Sequence, residues 1–157
     1  MQYWLWKLDS KQNLKKGIGV DVSSKAIVAA KDLYDRNNLK FHTIDGKRLP
    51  FDENKFDLII SCQVIEHIVN HNDYISEIKR ALSPNGLVIF TTPNASIRLD
   101  PGMKPWNPFH VREFNASEIK DLLTGYFKEV TVYGLFASEP LYSIELKRVE
   151  LCPGKFA

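Results

Sequence analysis

Phe56-Asp57-Leu58-Ile59-Ile60-Ser61-Cys62 is the stretch of the sequence that decides the fold. It is a near-continuous apolar run of strand length, which is typical of a strand covered on both faces. Leu87 to Thr92 is a second such run, and an amphipathic helical pattern containing Tyr74, Ile75 and Ile78 separates the two. A helix between two buried strands predicts a parallel pair joined by a right-handed crossover.

The same alternation continues outward in both directions. Before the run we predict a strand over Gly17–Val22, a helix capped by Ser23 or Ser24, and a strand over Leu39–Ile44. After it we predict a helix capped by Asn72 or Asp73, a turn at Ser83–Gly86, a long loop over 93–114, a helix over Ser117–Phe127, a strand over Glu129–Gly134 and a helix start at Ser138-Glu139-Pro140. This order predicts one α/β domain over residues 1–157, Rossmann-like, with a mostly parallel sheet and helices on both faces.

Composition and charge narrow the class of protein. The 157 residues are 44% hydrophobic and 25% charged, with a net charge of +2 and two cysteines. A near-neutral balance argues against a nucleic-acid partner, and so few cysteines fit a reducing cytosol. No apolar run approaches the roughly 20 residues of a membrane span. We therefore expect a soluble, cytoplasmic protein with a small-molecule substrate and no membrane partner.

Two acidic residues follow predicted strands, at the edge where parallel sheets bind ligands. Asp21 ends one strand, and its carboxylate can accept hydrogen bonds from ribose hydroxyls. It can equally cap the helix that begins beside Ser23. Asp45-Gly46 follows the next strand, where the carboxylate can accept from an adenine amino group. By itself, however, this pair is more typical of a simple turn.

Histidines provide the candidate bases. His67 follows the strand that ends at Cys62, and an imidazole titrates near neutral pH. His110 lies in the long loop among aromatic residues, where it lines a pocket or only packs. A zinc site could be considered from Cys62, His67 and His71. The set lacks a fourth ligand, and its spacing matches no common structural zinc site, so we predict no metal.

Taken together, these segments resemble the class I S-adenosylmethionine-dependent methyltransferases of the type 11 group. The resemblance covers residues 17–140, in order and at family spacing. It rests on Ile18-Gly19-Val20-Asp21-Val22-Ser23, Asp45-Gly46-Lys47-Arg48-Leu49-Pro50-Phe51, the stretch from Phe56 to His67, Leu82-Ser83-Pro84-Asn85-Gly86-Leu87-Val88-Ile89, and His110-Val111-Arg112-Glu113-Phe114.

The resemblance implies S-adenosylmethionine as cofactor and a role for each matching residue. Asp21 would hold the ribose and Val22 would pack on the adenine, whose edge Asp45 and Gly46 would contact. The backbone near Cys62 would meet the methionine portion. For an oxygen acceptor, of small-molecule or glycan type, His67 or His110 would be the catalytic base.

A subset of the family suggests a metal-assisted variant of this chemistry. O-methyltransferases of quinone precursors and of small-RNA ends resemble this chain at Glu-x-x-Glu-His and can place a divalent cation there. This chain has Gln63 in the first position, and Glu66, His67 and His110 remain.

The family's first strand and its glycine-rich loop have no match in this sequence. Residues 2–14 look like the helix that follows that loop, so the chain resembles a form truncated at the N-terminus and short at the C-terminus. Two strand edges would then lack partners, which predicts self-association into a homo-oligomer. Residues Tyr3 to Leu8 are an alternative, since they could act as a substitute strand.

Two further functions stay open at this point. A catalytically inactive Rossmann-like module that binds a partner, or completes its site with another chain, accounts for the missing loop. An NAD-binding oxidoreductase fragment accounts for Asp21, but not for Leu49-Pro50-Phe51 or Glu66-His67.

Overall fold

A computed structural model describes residues 2–8, 14–34, 36–99, 102–135, 138–141, 143, 144 and 147, the first segment and Leu14 by their backbone alone. The strands are β1 (Gln2–Leu8), β2 (Leu14–Asp21), β3 (Leu39–Thr43), β4 (Phe56–Cys62) and β5 (Leu82–Thr91). The helices are α1 (Ser24–Leu33), α2 (His71–Ala81), α3 (Ala95–Arg98) and α4 (Ala116–Thr124). Among the described residues, none of the helices is long and apolar enough to cross a membrane.

The strands form one sheet in the order β3-β2-β1-β4-β5. β2 pairs with β3 in parallel, and β4 pairs with β5 in parallel. β1 lies between these two halves and runs antiparallel to both of its neighbours. Four of the five strands therefore point the same way, and the predicted α/β, Rossmann-like architecture is confirmed.

β1 corrects the prediction for the N-terminal segment. Residues 2–8 form a strand and not a helix, so the alternative of a substitute strand is confirmed. Gln2 lies opposite both Asp21 and Cys62, which places the start of β1 between the carboxyl ends of β2 and β4. Without β1, the facing edges of β2 and β4 would carry unpaired backbone groups, which require hydrogen-bond partners. The aromatic-rich sequence of residues 2–8 favours a strand, and its backbone provides those partners. The gap that was expected to drive self-association is filled, and the oligomeric state stays a prediction.

The core lies where α2 packs beneath the sheet. Tyr74, Ile75 and Ile78 form the predicted apolar stripe, and Ile75 is completely buried. The helix begins one residue after Asn70, whose side chain accepts the Asp73 amide hydrogen. The predicted cap at Asn72 or Asp73 is therefore wrong, because capping requires the side chain to precede the first helical turn.

Two C-terminal predictions also change. Residues 83–86 do not form a separate turn but belong to β5, where a register shift between Phe56 and Leu58 accommodates them. Residues 129–134 form no strand, and Tyr133 is 86% exposed. A strand there would need a neighbour in the sheet, and no described strand pairs with it. The predicted helix start is consistent with the helical Leu141, whereas Cys152 lies outside the described residues.

α4 is close to the prediction, and its N-terminus is well defined. The Asn115 side chain accepts the Glu118 amide hydrogen at 2.9 Å, and the Glu118 carboxylate accepts the Asn115 amide hydrogen at 2.9 Å. This reciprocal capping box fixes where the chain leaves the long loop. That loop is not wholly irregular, because it contains α3 and a bridge between Asn94 and Phe114.

Candidate functional site

Asp21 lies at the carboxyl end of β2 and is 3% exposed. Its carboxylate accepts the Ser23 amide hydrogen at 2.6 Å, while its backbone carbonyl accepts the Ile44 amide hydrogen at 3.0 Å. The cap of α1 is Ser23 itself, which accepts from the Ala26 amide. Asp21 therefore shapes the turn into α1 and ties it to the end of β3, but it is not the helix cap.

The turn after β3 meets the turn after β2 at Gly46. Gly46 has a φ of +77°, and a Cβ placed there would lie 3.0 Å from Val22 Cγ1. A side chain at this position would be strained and crowded, so glycine suits the close approach. The structure thus brings together Asp21, Val22, Asp45 and Gly46, the four residues for which the resemblance implies ribose and adenine contacts.

Asp45 itself is exposed and orders the backbone of its own turn. Its Oδ1 accepts the amide hydrogens of Lys47 at 2.9 Å and Arg48 at 3.4 Å. The hydrogen bond from the Lys47 amide, above all, holds the pKa of Asp45 below its ordinary value. The residue is therefore an ionised acceptor at neutral pH, which is what hydrogen bonding to an amino group requires.

Two side chains of α2, Glu77 and Arg80, form a clamp on the backbone of Leu49, just after this turn. Sequence reasoning missed these contacts. The Glu77 carboxylate accepts the Leu49 amide hydrogen at 2.9 Å, and Arg80 donates to the Leu49 carbonyl at 3.1 Å. Arg80 also donates to Glu77 at 2.6 Å and lowers the pKa of that carboxyl. The sequence signal is the Glu-x-x-Arg spacing on α2, which predicts the ion pair but not its contact with the backbone of residue 49.

Cys62 lies on the same edge of the sheet, at the end of β4. In register it faces Gln2 of β1 on one side and Thr91 of β5 on the other. Gln63 then turns the chain with a φ of +52°, and its amide donates to the Thr91 carbonyl at 2.9 Å. Gln2 stands between Asp21 and Cys62, so the two halves of the predicted cofactor site flank the start of β1.

Glu66, His67 and His110 form a compact cluster beyond the end of β4. One side-chain ligand atom from each lies within 4.8 Å of the others. Glu66 is completely buried; its Oε2 accepts the Thr92 hydroxyl hydrogen at 3.1 Å, and its Oε1 has no hydrogen-bond partner within the described part of the chain. A buried carboxylate oxygen without a donor is costly, so a hydrogen-bond donor or a cation at this point would stabilise it.

The two histidine rings meet edge to face, with centroids 4.7 Å apart. His67 donates from Nδ1 to the Phe109 carbonyl at 2.8 Å, and His110 Nδ1 lies 2.7 Å from a Glu113 oxygen. In each ring Nε2 is then the nitrogen left for chemistry. The sequence named each histidine as a candidate base and grouped both with Glu66 as possible metal ligands, and the structure places them side by side.

Backbone hydrogen bonds between the long loop and Glu66 hold His110 in this position. The Glu66 carbonyl accepts the amide hydrogens of Val111 at 2.7 Å and Arg112 at 3.2 Å. Glu113, whose side chain is fully buried, also accepts from Arg98 Nε at 3.0 Å. The sequence named Glu66 as a candidate metal ligand but missed its burial and the role of Glu113, because only tertiary contacts reveal that these carboxylates are buried.

His71 does not join the cluster. Its Nε2 donates to the Ile65 carbonyl at 3.1 Å, and its ring packs against Phe114 with centroids 5.2 Å apart. Burial lowers the pKa of His71. The zinc set of Cys62, His67 and His71 considered from sequence is not assembled, since the cluster found among the described residues contains neither Cys62 nor His71.

The fold and the residues at the carboxyl edge of its sheet define a class of protein. A Rossmann-like sheet carries an acidic residue at the end of β2, an Asp-Gly turn after β3 and a base-bearing cluster after β4. These are features of an α/β domain that binds a nucleotide-containing ligand outside the carboxyl ends of its strands.

Comparison with known proteins gives the family. The model of the methyltransferase domain family matches residues 4–90. A probable S-adenosylmethionine-dependent methyltransferase of Mycolicibacterium smegmatis is 31% identical over 135 residues, covering 85% of this chain and 51% of the relative. A ubiquinone biosynthesis O-methyltransferase of Bradyrhizobium diazoefficiens is 30% identical, over 69% of this chain and 46% of the relative. The chain belongs to the class I S-adenosylmethionine-dependent methyltransferase family.

Solved structures agree on the fold. The YcgJ protein of Bacillus subtilis superposes with a TM-score of 0.62 at 20% identity, covering 90% of this chain and 64% of that protein. The chain spans about half the length of the curated relatives it matches.

Proposed function

We propose that this chain binds S-adenosylmethionine at the carboxyl edge of its sheet and transfers the methyl group to a small-molecule or glycan-type acceptor. The observation that carries the proposal is the meeting of Asp21 and Val22 with Asp45 and Gly46, on the edge that also bears the histidine cluster. We place the protein in the cytoplasm, which its low cysteine content supports.

Each residue of this edge has a defined part in binding. The Asp21 carboxylate accepts from the ribose hydroxyls, and Val22 packs on the adenine ring. Asp45, held ionised by its turn, accepts from the adenine amino group, and the small Gly46 lets the backbone approach the ring edge. The backbone at Cys62 contacts the methionine portion. This arrangement positions the ligand, and position is the main contribution that a protein makes to a displacement reaction.

The cofactor supplies an electrophilic methyl group when it is bound. Methyl transfer to an acceptor oxygen would break the carbon–sulfur bond of the cofactor and release the proton of that oxygen, which the Nε2 of His110 or His67 would receive. His67 donates from Nδ1 to the Phe109 carbonyl and His110 Nδ1 contacts Glu113, so Nε2 is in each ring the atom left to receive the proton.

Binding of S-adenosylmethionine, measured by isothermal titration calorimetry, tests the proposal. We expect micromolar affinity, which Asp21→Asn lowers by about 10-fold or more, since one hydrogen bond to a charged group contributes about 1.5–3 kcal/mol. Asp121→Asn, an exposed change on α4, is the matched control and leaves the affinity unchanged. An absence of binding would contradict the proposal and favour the inactive or partner-completed Rossmann-like module.

A metal-assisted O-methyltransferase is a second candidate, favoured by the unpartnered Oε1 of Glu66 beside two histidines. Two imidazoles and one carboxylate suit first-row transition ions better than Mg²⁺. Bonds of about 2.0–2.2 Å would draw the three side chains closer together. Calorimetry with Mn²⁺ tests this candidate: Glu66→Gln abolishes binding if the site holds the ion, whereas the exposed control Glu129→Gln does not. Equal binding by wild type and Glu66→Gln would reject it.

A further inference from the structure

Within the long loop, the buried Glu113 carboxylate links the partly exposed Arg98 to His110. Arg98, at the end of α3, donates from Nε to Glu113 Oε2 at 3.0 Å, and Glu113 Oε1 lies 2.7 Å from His110 Nδ1. The Glu113 side chain is fully buried, and the His110 side chain is 8% exposed. The Arg98 guanidinium lies over the Trp106 ring, 5.2 Å from its centroid.

The chemistry of these groups determines which atom donates and which accepts in each hydrogen bond. Arginine only donates, and an ionised carboxylate only accepts. Glu113 is therefore satisfied on one oxygen by Arg98, and its other oxygen requires a hydrogen from His110 Nδ1. A neutral His110 then carries its proton on Nδ1 and its lone pair on Nε2, the nitrogen left for the cluster with Glu66 and His67.

We propose that Arg98 and Glu113 are positioning residues that fix the tautomer of His110, so that its Nε2 presents a lone pair to the acceptor's proton. The same lone pair would serve a divalent cation. The catalytic consequence rests on the proposed function, but the tautomer itself does not.

One substitution should reverse the tautomer without a change in side-chain shape. In Glu113→Gln the amide oxygen faces Arg98, because arginine can only donate to it. The amide NH₂ group must then face His110 Nδ1, which becomes an acceptor, and the proton moves to Nε2. Removing the arginine as well, in Arg98→Met/Glu113→Gln, frees the amide to turn over and allows the Nδ1–H form to return.

The test is nitrogen-15 NMR of the histidine rings in the metal-free, EDTA-treated 157-residue chain at pH 8.5, well above the ordinary histidine pKa of about 6.5. The protonated and unprotonated ring nitrogens of a neutral imidazole have well-separated shifts. We expect His110 as Nδ1–H in wild type, as Nε2–H in Glu113→Gln, and again as Nδ1–H in the double variant. His67 is the internal control, since the Phe109 carbonyl keeps it Nδ1–H in every protein.

The wild-type spectrum alone can overturn the proposal, so it does not depend on a variant that folds. A proton on Nε2 of His110 in wild type, alone or together with Nδ1–H, would contradict it. So would a Glu113→Gln protein, folded by its amide spectrum, in which His110 keeps the Nδ1–H form. The expected tautomers in a protein that does not bind S-adenosylmethionine would uphold this inference while the proposed function fails.

Discussion

Replacing Glu77 by glutamine should weaken the fold by loosening the clamp on Leu49. The Glu77 carboxylate accepts from the Leu49 amide at 2.9 Å and from Arg80 Nη2 at 2.6 Å. The side chains of Glu77 and Arg80 are only 17% and 18% exposed, so water screens their interaction incompletely. Arg48 contributes little, since its side chain is 74% exposed and its Nε lies 3.7 Å away.

The expected change in the free energy of unfolding follows from the loss of the Glu77 charge. Hydrogen bonds to charged groups contribute about 1.5–3 kcal/mol and neutral ones about 0.5–1.5 kcal/mol, so Glu77→Gln should lower the free energy of unfolding by about 1.5 kcal/mol. For a chain of this size that corresponds to a fall in Tm of about 3–6 °C. Glu129→Gln, which removes an exposed carboxylate, should change the free energy of unfolding by less than about 0.5 kcal/mol.

The pH dependence gives this prediction a second signature. The hydrogen bond from Arg80 lowers the pKa of Glu77 from its ordinary value of 4.5. The stabilisation is therefore fully present above pH 4.5 and is lost as the pH falls through the lowered value. Urea unfolding of wild type and Glu77→Gln at pH 7, 5 and 4 measures the difference, which should shrink only at the lowest pH. Equal stabilities at pH 7, or a difference that grows on acidification, would refute the reasoning.

Three other substitutions test separate parts of the fold. Gly46→Ala should weaken S-adenosylmethionine binding in calorimetry, because its Cβ meets Val22, whereas Gly102→Ala, with a similar φ of +83° but nothing within 4 Å, should leave affinity unchanged. Asn115→Ala should lower the urea-unfolding free energy by about 1 kcal/mol through loss of the capping box, and a change under about 0.3 kcal/mol would argue against that cap. Ile75→Ala should lower it by about 2–5 kcal/mol, since the side chain is fully buried, and a smaller loss would mean that α2 does not pack as described.

Local signals in the sequence were sufficient for several elements. The apolar run at Phe56–Cys62 predicts β4 with its correct bounds, since the pattern of a buried strand is continuous and bounded by polar residues. The sequence narrows the cap of α1 to Ser23 or Ser24 by residue type and position, and Ser23 is the cap in the structure. The cap of α2 was missed by two or three residues, because Asn70, Asn72 and Asp73 are all competent caps and only the register of the first turn selects among them.

Non-local pairing explains what the sequence could not supply. β1 pairs with two distant strands, which end at Asp21 and Cys62. The sequence offered Tyr3 to Leu8 as a substitute strand only as an alternative to a helix, because the local pattern does not record that pairing. In the same way, the burial of Glu66 and Glu113 depends on where the long loop lies. His67 and His110 were recognised by residue type, but their contact at 4.7 Å is a property of the fold.

The most direct test of the central claim is a two-dimensional amide NMR titration of the 157-residue chain with S-adenosylmethionine. Binding at the carboxyl edge of the sheet predicts the largest shifts at the amides of Asp21, Val22, Gly46 and Cys62, with the far end of β3 near Leu39 unaffected. Shifts confined to another face, or a spectrum that does not change at saturating ligand, would contradict the account.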